Sequence, residues 1–317
     1  MSRGDVLVTG AMGQLGRVIA KHARERGRHV VGVDVAEMPL DQRAAIVRTV
    51  GEVRPRAIVH CGAITNVDGC ELDPLAAFRI NGLATAWIAE AAASVGASLV
   101  YVSTDFVFDG AATTPYAIDA VPKPLSVYGA CKRLGEEAVL AHGRNDFHVV
   151  RTSWVFGPGG KNFPRAILER ARSGQPVKVV TDQIGRPTMT HDLADALLDL
   201  LASDAPGGIW HAANEGQCSW HQFAVDVLRE AGLGHVPVGT QTAAEYAAGL
   251  VAAGKRPPAP RPAWSVLDTG KLAALRGRAL PHYLDALRRH LPLDAAAAAA
   301  AGGPAPGNEA TLRGKNY

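Results

Sequence analysis

From Val6 to Gly157 the chain repeats one alternation, a short run of β-branched and other apolar residues followed by a longer, alanine-rich stretch with apolar positions at helical spacing. The short runs are "DVLVTG", "HVVGVD", "AIVHCG", "SLVYVST" and "HVVRTSWVFG"; between them lie "QLGRVIAKHARERG", "LDQRAAIVRTVGEV" and "PLAAFRINGLATAWIAEAAASVG". Runs that are apolar on both faces belong to strands covered on both sides, and a strand–helix–strand order joins neighbouring strands in parallel. The predicted class is therefore α/β, with a doubly wound parallel sheet.

After Gly157 the pattern loosens. "NFPRAILERARSG" and "HDLADALLDLLAS" read as helices, "VKVVTDQIG" and "GIWHAAN" as strands, so residues 158–294 mix late strands of the main sheet with a smaller cap. Pro257, Pro258, Pro260 and Pro262 interrupt regular structure ahead of a last helical stretch, "PHYLDALRRHL". Residues 295–317 are low in complexity and offer little to pack in a core. They read as a flexible tail, although the alanine run can also prolong the preceding helix.

Composition excludes several function classes. A net charge of +3 over 317 residues, with arginines scattered among acids, leaves no footprint for a nucleic-acid partner. The start lacks the hydrophobic core of a signal peptide, and no apolar run reaches the length of a membrane span, so no membrane partner is expected. Cys61, Cys70, Cys131 and Cys218 have neither paired nor zinc-binding spacing. Reduced thiols in a cytoplasm, and no metal, are the expectation. Cys131 beside Lys132 is read as a packing residue rather than an activated thiol.

Three motifs carry chemistry. "TGAMGQLG" sets Gly10, Gly13 and Gly16 at the junction of the first strand and first helix, with Met12, Gln14 and Leu15 between them. Glycines there allow a tight turn and close approach to a pyrophosphate, whose charge the helix N-terminus favours. This makes residues 1–157 mainly a Rossmann-like dinucleotide-binding domain. Asp34 ends the second strand, where a carboxylate accepts from a ribose diol and repels a 2′-phosphate, tilting the choice between NADH and NADPH toward NADH. Arginines such as Arg28 lie nearby and work the other way. "YVSTDFVFDG" brings Ser103, Thr104 and Asp105 to the carboxyl end of the fourth strand, where ligands bind in open α/β sheets. "SVYGACK" places Tyr128 and Lys132 four residues apart, on one helical face.

In that order the motifs resemble the extended branch of the short-chain dehydrogenase/reductase superfamily. The strings "ITNVDGCE", "STDFVFDG", "VYGACKRLGEE", "RTSWVFG", "GKNF", "DQIGRPT" and "RPAWSVLDTGKL" are similar to successive motifs of the dTDP-4-dehydrorhamnose reductase family, from Val6 to Leu291. The resemblance implies an NAD(P)H-dependent reduction of the C4 carbonyl of a dTDP-4-keto-6-deoxysugar, by a monomer or homodimer, leading to dTDP-L-rhamnose or to a relative such as dTDP-dihydrostreptose. It implies that Tyr128 donates the proton, that Lys132 stabilises the phenolate and anchors the cofactor ribose, and that Thr104, or less readily Ser103, orients the substrate oxygen. Cys61, Gly62 and Ala63, and the loop after Arg151, then lie near the cofactor. Val67, Asp105 and Trp154 line the sugar pocket, and Asn162 and Arg186 contact the nucleotide diphosphate.

Departures narrow the reading. Ile64 and Phe106 stand where the family pattern has tyrosines, so two hydroxyls near the pocket are missing and the sugar stays open. Val18 stands where some members carry a glutamate for a dimer-bridging magnesium. The stretch from Asp34 to Arg54 is short for the family. Two alternatives remain: a nucleotide-sugar epimerase, and a non-catalytic subunit that kept the fold and its dinucleotide. A dehydratase would need an Asp-Glu acid pair where this chain has Asp105-Phe106.

Overall fold

The computed structural model describes residues 5–300. Strand β1 (Val6–Thr9) passes through the glycine turn into α1 (Gln14–Glu25), and β2 (Val30–Val33) is followed by α2 (Arg43–Val53). From β3 (Ala57–His60) the chain enters a broken helical run: α3 (Val67–Leu72), α4 (Pro74–Ala77), a π-helical segment (Phe78–Leu83) and α5 (Ala84–Val95). β4 (Ser98–Thr104) leads through a tight turn over Asp105–Val107 to α6 (Val127–Leu140), and β5 (Phe147–Thr152) leads out to β6 (Val155–Phe156).

Next come α7 (Phe163–Arg172), β7 (Val177–Val180), β8 (Ile184–Gly185), β9 (Thr188–Met189) and α8 (Thr190–Leu201). β10 (Gly208–His211), β11 (Cys218–Ser219), α9 (Trp220–Glu230), β12 (Val238–Gln241), α10 (Ala243–Ala252), α11 (Gly270–Arg276) and α12 (Tyr283–Ala300) complete the described chain.

The main sheet has six parallel strands in the order β2-β1-β3-β4-β5-β10. From β1 the chain moves outward to β2 and then returns to β3 on the other side, so the carboxyl ends of β1 and β3 flank the switch point at which α/β sheets hold ligands. Only α2 fills the short stretch after Asp34, which leaves β2 as the edge strand. Both sheet faces are covered. α1, α8 and α11 supply Ile19, Leu197 and Leu272 to one core, while α2 and α5 supply Ile46 and Ile88 to the other. A third core around Phe156, Phe223 and Leu287 belongs to the cap. The segment after residue 157 thus contributes both a strand of the main sheet and a separate unit.

The tail reading needs correction. α12 runs through Ala300, so residues 295–300 continue a helix; alanine has the highest helix propensity, and the run starts from an already formed turn. Residues 301–317, the rest of the expected tail, lie outside the described residues. Among the described residues no helix is long and apolar enough to cross a membrane, and no group of His, Cys, Asp and Glu side chains is arranged to hold a metal.

Candidate active site

At the switch point β1, the start of α1 and the end of β3 meet almost backbone to backbone. Gly10 has φ +65°, and a Cβ on it would lie 2.7 Å from Gly62 Cα; one on Gly16 would lie 2.2 Å from the Gly10 carbonyl oxygen. Any side chain at these two positions would close the turn. α1 begins without a side-chain cap, so its first-turn N–H groups and dipole are available to an anion. Asp34 Oδ2 accepts from Met12 N at 2.8 Å and Oδ1 from Val35 N at 2.9 Å, which fixes the carboxylate beside the glycine loop.

These elements form one end of a crevice of about 1030 Å³. Its wall includes Gly10, Met12, Gly13, Gln14, Leu15, Gly16, Asp34, Cys61, Gly62 and Ala63, all of the expected cofactor positions on the first three strands. A cradle that a single Cβ would fill, an uncapped helix start and an acid fixed beside the glycine loop together fit a nicotinamide dinucleotide.

The same crevice receives Ser103, Thr104, Asp105, Tyr128 and Lys132 from the middle of the sheet. α6 starts where it does because Ser126 caps it, accepting from Gly129 N at 3.2 Å, and because Glu71 accepts from Val127 N at 2.7 Å. Gly129 lets the helix lie against the turn after β4, since a Cβ there would sit 2.2 Å from the Phe106 carbonyl oxygen. That close approach brings Tyr128 to Thr104. Burial pushes the Tyr128 phenol above its ordinary pKa, with the neighbouring Thr104 hydroxyl pulling the other way.

Lys132 differs from expectation. Its Nζ donates to the Val102 carbonyl at 2.7 Å and lies 4.2 Å from the centre of the Tyr101 ring, and no hydrogen bond joins it to Tyr128. The side chain is 3 % exposed, and burial pulls its pKa down to about 7 while Glu136 and Cys61 pull it back up. A desolvated ammonium takes the nearest strong acceptor, here a strand-end carbonyl. Asp105 is 1 % exposed, and burial raises its pKa to about 7 against the pull of the Ser265 and Thr104 hydroxyls.

Ser103 is committed elsewhere. Its hydroxyl donates to Glu136 Oε1 at 2.6 Å, and Arg151 holds the same carboxylate through Nε at 2.9 Å and a second nitrogen at 2.8 Å. Arg151 and Glu136 side chains are both fully buried, so this arginine serves the sheet–helix junction, while the residues after it, Thr152, Ser153 and Trp154, reach the crevice. Removing one charge from such a pair leaves the other buried without compensation. Glu136→Gln is therefore expected to cost about 3 kcal/mol of stability, read from urea unfolding.

Val67 and Trp154 line the crevice. Trp154 holds φ +48°, a left-handed conformation unusual for a large side chain, and is clamped by a stacked Trp220 with ring centres 3.5 Å apart. Two expected contacts are not brought to the wall. Asn162 caps α7, accepting from Arg165 N at 3.0 Å and donating to the Gly157 carbonyl at 2.7 Å. Arg186 pairs with Glu215 at 3.1 Å and bonds Thr269 at 3.2 Å.

In their place stand residues that sequence reasoning missed: Arg79, Lys161 and Trp220 line the crevice. Asn81 also escaped it. From the π-helical segment its side chain accepts from Ile64 N at 2.8 Å and donates to Ile64 O at 2.9 Å, pinning the loop after β3. An asparagine inside an otherwise apolar helical stretch was the available signal. All four cysteines are free thiols, and burial pushes Cys131 up rather than activating it.

A parallel sheet with a glycine cradle at its switch point, and a Thr-Tyr-Lys cluster at the neighbouring strand end, defines a dinucleotide-dependent oxidoreductase of the extended short-chain class. The model of the RmlD substrate binding domain matches residues 4–294. The chain is 38% identical over 288 residues to the spore coat polysaccharide biosynthesis protein SpsK of Bacillus subtilis, covering 90% of this chain and 96% of that protein. It is also 38% identical over 305 residues to a dTDP-4-dehydrorhamnose reductase of Streptomyces griseus, covering 95% and 96%. A crystal structure of dTDP-4-dehydrorhamnose reductase from Bacillus anthracis, in complex with NADP, superposes with a TM-score of 0.84 at 31% identity, over 92% of this chain and 99% of that one. The chain belongs to the dTDP-4-dehydrorhamnose reductase family.

Proposed function

We propose that the protein reduces the C4 ketone of a dTDP-4-keto-6-deoxysugar with a nicotinamide cofactor, in the formation of dTDP-L-rhamnose or of a related sugar such as dTDP-dihydrostreptose. The observation that carries this reading is the convergence of Thr104, Tyr128 and Lys132 on the crevice that also holds the glycine cradle. The cofactor, when bound, supplies the hydride. Tyr128, kept protonated by burial, gives its proton to the developing alkoxide. Thr104 orients the substrate oxygen, and Lys132 supplies a buried cation beside the ribose. The sugar nucleotide lies between the main sheet and the cap, against Val67, Asp105 and Trp154.

NADH is the preferred donor in this reading. Asp34 stands at the ribose end, where a 2′-phosphate would add a dianion a few Å from a carboxylate, a repulsion of a few kcal/mol at an effective dielectric of about 20. The test is nicotinamide oxidation with dTDP-4-keto-6-deoxyglucose, with and without a 3,5-epimerase. Turnover is expected, with kcat/KM for NADH at least about tenfold above that for NADPH. Cofactor binding without turnover on either keto sugar would point instead to the non-catalytic subunit.

A further inference from the structure

Each reduction consumes the proton of Tyr128, and the phenol must be recharged before the next. We propose that Asp105 supplies that proton, passed through the Thr104 hydroxyl; this rests on the ketoreductase reading above. The Thr104 hydroxyl donates to Asp105 Oδ1 at 3.1 Å, accepts from Phe106 N at 3.2 Å and lies beside the Tyr128 phenol. A hydroxyl has one donor and two acceptor sites. If it accepts from Phe106 N–H and from a protonated Asp105, its own proton is left for the phenolate, and every site is used.

The surroundings of Asp105 favour its acid form. The side chain is buried, and Oδ2 makes no hydrogen bond within the described residues. An orphaned oxygen costs far less on a neutral carboxyl than on a carboxylate. The groups that face it are the hydroxyls of Thr104 and Ser265, the Phe106 N–H and the Tyr128 phenol, with no cation among them. An ionised Asp105 also opposes the phenolate, so the two sites favour sharing one proton. Lys132, on the same helix as Tyr128, is bonded to the Val102 carbonyl and lies among Glu136, Cys61 and His60 instead.

The step balances. The substrate carbonyl accepts a hydride at C4 and the phenol proton at oxygen, leaving Tyr128 as phenolate. The Thr104 O–H bond breaks toward the phenolate as a new O–H bond forms from the Asp105 carboxyl, and the resulting carboxylate regains a proton from water when the product leaves. One solvent proton is taken up per turnover.

Asp105→Asn keeps the shape and removes the acid. With dTDP-4-keto sugar and NADH, the variant is expected to lose at least about tenfold in kcat, and the lost rate is expected to return as imidazolium buffer is raised at constant pH. The wild type is expected to be indifferent to buffer. Thr104→Val, in which the relay hydroxyl is gone but Asp105 remains, is expected to become buffer-dependent too, and carries the test if the asparagine variant does not fold. A kcat that ignores buffer in the variants, with the loss falling on KM, would make Asp105 a substrate-holding carboxylate and overturn the relay. Silence of the wild type on the same substrate would overturn the ketoreductase reading itself.

Discussion

Tyr128→Phe is expected to lower kcat by about 10³–10⁴-fold while leaving NADH binding in place. The phenol is a half-buried donor beside Thr104 at the strand end, and desolvation raises its pKa, so at neutral pH it holds a proton that only a strongly basic alkoxide will take. Phenylalanine removes that proton and keeps the ring, which already packs edge-on against Phe106 with ring centres 5.7 Å apart. The pocket therefore keeps its shape. The cradle of Gly10 and Gly16 and the carboxylate of Asp34 are untouched, so cofactor titration by fluorescence should match the wild type. A loss below about tenfold would move the proton-donor role to another group.

The second large effect is acid sensitivity. Burial lowers the pKa of His60 and His211 to about 3 and of His148 and His290 to about 4. Their folded values lie below the ordinary value near 6.5, so as pH falls the unfolded chain takes up protons first. The stability these four histidines contribute is complete above about pH 6.5 and is lost progressively toward pH 4 and below. At pH 5 each costs about 2 kcal/mol. Asp105 works in the opposite direction: its folded pKa is raised to about 7, and over the same window it returns about as much as one histidine costs. The net is comparable with the whole stability of an ordinary domain. Calorimetry at pH 7 and pH 5 should show the melting temperature fall by about 10 °C. An unchanged value would mean that the histidines remain neutral in the unfolded chain or gain partners on protonation.

Much of the site was legible because local patterns specify it. The glycine spacing needs only a strand before it and a helix after it, and Tyr128 and Lys132 share a face wherever Ser126 caps a helix. Two expected contacts are held away from the crevice wall by other partners, local ones for Asn162 and a distant one for Arg186. Asn162 and Arg186 look like phosphate ligands on exposed loops, but one is taken by the start of α7 and the other by Glu215. Ser103 and Thr104 are adjacent hydroxyls in the sequence, and Thr104 is preferred there only through the family resemblance. Alternation along β4 turns Ser103 toward Glu136, leaving Thr104 with Tyr128.

The sequence by itself determined the parallel α/β sheet and the glycine turn at its switch point, because both follow from short-range periodicity and from backbone positions only glycine can occupy. Tertiary structure alone decided the surroundings of the ionisable groups at the site. Whether Lys132 bonds a carbonyl or a phenol, and whether Asp105 is an acid or an anion, depends on desolvation and on neighbours from four different strands and helices. Burial is a property of the packed molecule, and no residue carries it in its own name.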